Sequence, residues 1–250
     1  MWQRAVERFW STADGLRKRH LVDIPPPGLV SFTFDDAPES AFSAGASILE
    51  SQGMLGTFYV CASLFGHETE VGLMATRERV AAGADSGHEI GNHAFRHVNL
   101  TRQPLRRTRR DVRDNGQALE PIMTGSFAYP FGASDARVRC AVAPIVESAR
   151  GVQPGINRGS VDFLDLRAVR VYEDDGLDRC LEALADCVKN GGWLIFYTHD
   201  VRSTPSPFGT TEQRFAGLVD AVAESNTRVE TVAAAARIAW RSGCTPLTVG

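Results

Sequence analysis

The strongest constraint on this chain is a rhythm. Apolar runs of strand length, at 29–34, 56–61, 89–91, 126–129, 168–171, 193–198 and 227–229, alternate with helix-length segments at 41–51, 74–85, 104–119, 135–149, 177–189, 211–225 and 232–241. Strands separated by helices of this length pair in parallel through right-handed crossovers. Several runs end in polar residues, which favours a barrel-like α/β fold with its functional groups gathered at one rim. No repeat, low-complexity tract or linker divides the rhythm, so one domain over 28–250 is expected. Residues 1–27 precede it as an amphipathic helix and a proline-rich connection ending at Pro25-Pro26-Pro27-Gly28.

Composition narrows the function. A chain of 250 residues with 43% hydrophobic content can bury one substantial core. A formal net charge of −3 offers no overall attraction to nucleic acid, so no nucleic-acid partner is expected. The five cysteines are odd in number, scattered and never in a CxxC pair, and read as reduced thiols. No secretory signal pattern precedes Asp23, and no apolar stretch reaches the roughly 18 residues of a membrane span, so a cytoplasmic location is expected. Near the start, Trp2, Ala5, Val6, Phe9, Trp10, Ala13 and Leu16 fall at helical spacing among Arg4, Arg8, Arg17, Lys18 and Arg19. Such a helix docks its aromatic stripe on its own domain or a partner subunit, or alternatively lies peripherally on an anionic bilayer.

Four places carry chemistry. Asp35 and Asp36 directly follow the apolar run 29–34, where two adjacent carboxylates repel unless a proton or cation intervenes. Neighbouring strand residues point to opposite sides, so one can bind a metal beside a free neighbour only if the chain bends there. Taken alone, the pair reads equally as a helix cap. His93-Ala94-Phe95-Arg96-His97 sets two imidazoles at i and i+4, on one face if the segment is helical; with a carboxylate they form a three-ligand site that leaves positions open for water and substrate. His199 ends the apolar run 193–198 beside Asp200, where an imidazole can serve as a general acid or simply bond within a turn. Phe127-Ala128-Tyr129-Pro130-Phe131-Gly132 is a strand ending in a tight bend that can present a backbone N–H.

In order and wording these motifs resemble the polysaccharide deacetylase family, whose members share the chitooligosaccharide deacetylase (NodB) homology domain of carbohydrate esterase family 4. The resemblance spans roughly 29–237. It implies a distorted seven-stranded (β/α) barrel and a hydrolase that removes an N-acetyl or related N-acyl group from an amino sugar in a polysaccharide, oligosaccharide or glycan precursor. Thr33-Phe34-Asp35-Asp36 matches the family's first motif, with Asp35 as catalytic base and Asp36 as metal ligand. His93 and His97 match the second and complete the metal site, for zinc first, with cobalt or nickel as alternatives. Phe196-Tyr197-Thr198-His199 matches the last and makes His199 the general acid. Tyr129 and Pro130 belong to the third motif, and the N–H of Phe131 is the implied donor to the oxyanion.

Two departures stand out. The arginine that pairs with the base in many members is replaced by Ala128, and Arg170, at the end of run 168–171, is the candidate to supply a guanidinium instead. The tryptophan-bearing fourth motif is absent, leaving Asp162, Asp165 and Asp200 as candidates to orient His199. Alternative readings are deacylation or deformylation of a lipid-linked amino sugar at the cytoplasmic membrane face, served by the amphipathic start and the arginine-rich segment 102–113, and a non-catalytic carbohydrate-binding relative. No GxSxG, GxGxxG or GxxxxGK[ST] pattern supports nucleophilic-serine or nucleotide chemistry.

Overall fold

A computed structural model describes residues 19–242. Seven parallel strands form a curled sheet in the order β10 (Val169–Arg170), β11 (Trp193–Thr198), β2 (Leu29–Phe34), β3 (Thr57–Val60), β6 (Glu89–Asn92), β7 (Met123–Ala128) and β8 (Ser148–Arg150). This is the expected distorted (β/α) barrel. The short β12 (Arg228–Val229) pairs with the lower half of β2, beside Leu29 and Val30, while β3 pairs with its upper half at Thr33 and Phe34.

All six residues of β2 are buried, but their two faces differ. Val30, Phe32 and Phe34 join the core under the surrounding helices, where Phe34 stacks on Phe58 and Phe58 on Phe42 at centroid distances of 4.6 and 4.2 Å. Burying each such ring contributes about 1.5–3 kcal/mol. Ser31 and Thr33 alternate with them, and their hydroxyls are satisfied by the carbonyls of Glu230 and Phe196 at 2.7 and 2.9 Å. Helices start where capping residues predict. Thr76, Asp135 and Thr211 accept from the backbone N–H groups of Arg79, Val138 and Arg214.

One sequence boundary needs correction. The segment 135–149 is not one helix: a helix over Ala136–Val142 stops, and β8 follows within it. The seventh barrel strand is therefore β8, and the run 227–229 is the auxiliary β12. Arg19–Val22 forms β1, antiparallel to β9 (Gly159–Asp162), and Val22 packs into a cluster with Leu29 and Trp193. The amphipathic helix expected over residues 2–16 lies outside the described residues, as does Cys244. Among the described residues no cysteine is in a disulfide, and no helix is long and apolar enough to cross a membrane.

Candidate active site

The C-terminal ends of β2, β6, β7, β8 and β11 meet at one rim, as parallel barrels arrange their loops. A cleft of about 310 Å³ there is lined by Asp35, Asp36, His93, His97, Tyr172 and His199, among others. The chain does bend at the end of β2. Asp36 and Ala37 have left-handed φ of 58° and 56°, so both carboxylates reach the cleft despite being neighbours. The histidine pair converges by turns rather than by a helix: Ala94 and His97 have φ of 59° and 47°, and the two rings lie 5.1 Å apart. Non-glycine residues hold such angles only where surrounding structure enforces them.

One ligand atom each from Asp36, His93 and His97 lies within 4.8 Å of the others. Asp36 Oδ1 sits 2.9 Å from His97 Nε2 and 3.4 Å from His93 Nε2, buried and without a hydrogen-bond donor. His93 Nδ1 is 2.8 Å from the Ala128 carbonyl and must donate to it, so in the neutral ring Nε2 carries only a lone pair. Two acceptors then face each other, an arrangement relieved by a shared cation or a proton. Burial opposes charge on both groups, yet their mutual contact lifts the His93 pKa and holds the Asp36 carboxyl far below the usual carboxylate range. Two imidazole nitrogens and a carboxylate oxygen suit a divalent first-row cation.

Asp35 is engaged differently. The guanidinium of Arg150, at the end of β8, donates to its Oδ1, and both side chains are buried. Burial would push the Asp35 carboxyl up, but the Arg150, His93 and His199 charges outweigh it and hold it below its ordinary value. Arg150 also donates to the Gly151 carbonyl at 2.9 Å and lies between the rings of Tyr59 and Tyr197, 5.3 and 4.8 Å from their centroids. This answers the substitution at Ala128, and it is not the answer expected. Arg170 is bound to Asp175 and stacked near Tyr172 at the cleft wall. Arg150 was missed because the sequence reading placed it just beyond a helix; a Ser-Ala-Arg-Gly stretch at a strand end was the available signal.

Among the described residues, no carboxylate pairs with His199. Its Nδ1 lies 3.1 Å from the Phe208 carbonyl, and its ring packs near Tyr172 and Phe208. Asp200 points inward to Ser206 and Arg202, Asp162 accepts from the Leu164 N–H, and Asp165 pairs with Arg139 at 3.2 Å. On β7's side of the rim, the buried Tyr129 donates to the Leu164 carbonyl at 2.9 Å, Pro130 is buried, and Phe131 has a left-handed φ of 60°. The Phe131 ring is exposed over His97, with centroids 4.6 Å apart.

Comparison with known proteins bears on this geometry. The polysaccharide deacetylase family model matches residues 23–144, the stretch that contributes Asp35, Asp36, His93 and His97. That match takes in just under half of the chain and, with the relatives below, supports a polysaccharide deacetylase. A chitin deacetylase of Arthroderma benhamiae is 22% identical over 206 residues, covering 82% of this chain and 51% of that protein. The chain thus spans about half the length of the curated relative it matches. Among solved structures, the chitin deacetylase of Colletotrichum lindemuthianum superposes with a TM-score of 0.61 at 16% identity, covering 86% of this chain and 89% of that one. The Xyl-CE4 domain of a multidomain xylanase from the hindgut metagenome of Trinervitermes trinervoides gives 0.59 at 16% identity, covering 88% and 93%. At these identities the likeness is one of fold.

Proposed function

We propose that this chain is a metal-dependent hydrolase that removes an N-acetyl or related N-acyl group from an amino sugar within an oligosaccharide, polysaccharide or glycan precursor. The observation that carries the reading is the convergence of Asp36, His93 and His97 on one point beside the independently held Asp35. A divalent cation held by those three side chains, zinc, cobalt or nickel, supplies Lewis acidity towards the acyl carbonyl and lowers the pKa of water.

The remaining steps belong to the chain's own groups. Asp35 is the base: Arg150 keeps it ionised at neutral pH, ready to take a proton from the attacking water. The backbone N–H of Phe131 donates to the oxyanion that forms on the former carbonyl oxygen; losing one such donor costs about 10² to 10³ in rate in other enzymes. His199, with Nδ1 occupied by the Phe208 carbonyl, turns Nε2 to the cleft and protonates the departing amine. Tyr172 and Phe208 offer aromatic faces against which a sugar ring can lie. Acetate and free amine should appear together when N-acetylated amino sugars are incubated with protein loaded with zinc, cobalt or nickel. Failure of all three metals on a panel of mono- and oligosaccharides would remove the reading.

A further inference from the structure

The segment after His199 folds into a closed bracket whose centre is a buried carboxylate. Asp200 has no exposed surface. Its Oδ2 accepts from the Ser206 N–H and faces Arg202 Nε, each at 2.8 Å, and its Oδ1 accepts from the Ser206 hydroxyl. The Ser206 hydroxyl in turn accepts from the Phe208 N–H at 3.2 Å, and its carbonyl accepts from the Gly209 N–H at 3.1 Å. The Thr210 N–H closes the ring onto the Asp200 carbonyl at 3.0 Å. The product of this folding is the position of one backbone oxygen, that of Phe208, which accepts from the His199 N–H at 3.2 Å and the Thr198 hydroxyl at 3.4 Å and meets His199 Nδ1 at 3.1 Å. At Gly209 an added Cβ would fall 2.3 Å from Asp200 Oδ1, so the turn admits no side chain there.

We infer that Asp200 and Ser206 are positioning residues for His199, acting at one remove through the Phe208 carbonyl. The inference rests on the deacylase reading, in which His199 protonates the leaving amine. A carbonyl can only accept, so the neutral imidazole carries its proton on Nδ1 and leaves Nε2 as the atom that exchanges with the cleft. A carboxylate partner would add a negative charge beside the ring. The carbonyl gives direction without that charge. Both Asp200 oxygens face Ser206 and Arg202, and the atom that His199 Nδ1 meets is the Phe208 carbonyl oxygen. A buried carboxylate is costly unless fully bonded, and it stabilises a fold no better than apolar packing often does. Its use here is to fix a loop conformation, and the loop fixes the ring.

The test separates leaving groups. Zinc-loaded wild type, Ser206→Ala, Asp200→Asn and Gly209→Ala are compared on an N-acetylated oligosaccharide, whose amine must be protonated to leave, and on a nitrophenyl acetate, whose phenolate leaves without help. Full loss of a general acid costs about 10² to 10⁴, so misplacing it should lower kcat on the sugar amide by about 10- to 100-fold. KM for the sugar and turnover of the ester should stay within about twofold of wild type, on the same principle. Equal losses on both substrates would mean a merely structural loop and would overturn the inference. Because a variant could fail to fold, the wild-type His199 tautomer is also read by ¹⁵N NMR: Nδ1–H is expected when the ring is neutral, and Nε2–H would overturn the inference. Wild type inert on both substrates would instead refute the deacylase reading, while the tautomer still reports on the bracket.

Discussion

Glu89 and Asp36 are buried carboxylates at opposite ends of the same barrel, and their surroundings could hardly differ more. At the floor, Glu89 receives the hydroxyls of Thr57, Thr124 and Ser126 and the N–H of Ala233, on a backbone free of unusual angles. At the rim, Asp36 Oδ1 has no donor, faces two imidazoles, and stands on a left-handed residue followed by another. A carboxylate surrounded by donors is finished as a structural element. One set among acceptors in a strained turn is left unbalanced, the condition a bound cation would relieve, and the contrast supports placing the proposed metal site at the rim.

The contrast can be broken by substitution. Asp36→Ala should bring retained metal to background in elemental analysis and abolish deacylation; a variant that keeps stoichiometric metal would show that the rim carboxylate is not a ligand. Asp35→Asn should keep the metal and lower turnover by about 10² to 10⁴, and full acetate release would contradict its role as base. Arg150→Met leaves a buried carboxylate without its cation, for a stability loss of about 3–5 kcal/mol in denaturant titration. It should also raise the Asp35 pKa and move the acid limb of kcat/KM to higher pH. The sign follows from the depressed folded value of Asp35: its contribution to stability is complete above the ordinary 3.8 and is lost as pH falls below that, so the variant's stability should depend less on pH in this acid range. Smallest of all, Glu89→Gln should cost about 1–3 kcal/mol while leaving metal uptake untouched. A change in uptake would mean that floor and rim are not independent.

How much of this was legible in the sequence follows the same division. Asp35, Asp36, His93, His97 and His199 sit in short contiguous motifs at strand ends, which made each visible as a candidate, while the resemblance of the ordered motifs to the polysaccharide deacetylase family is what implied one shared site. Arg150 was hidden because β8 is three residues long and follows a helix whose apolar residues, continuing through Val142 and Val146, mimic a longer one. Arg170 looked equivalent, being charged at a strand end, but Asp175 five residues later claims its guanidinium. The partner of His199 could not be read at all, since a backbone carbonyl has no letter in the sequence and only the fold of residues 200–210 decides where it points. The pairing of β1 with β9 spans some 140 residues, and neither strand carries a pattern that names the other.

The helix Val232–Ser242 seals the floor, with the Val232 N–H on Thr57 and the Ala233 N–H on Glu89. During synthesis, all three proposed metal ligands have been made by residue 97, whereas the groups that close the barrel beneath them come some 135 residues later. At a ribosome, the nascent chain therefore holds its imidazoles and carboxylates for seconds before the scaffold that fixes their geometry is finished, and tight metal capture should come late, with the docking of that last helix.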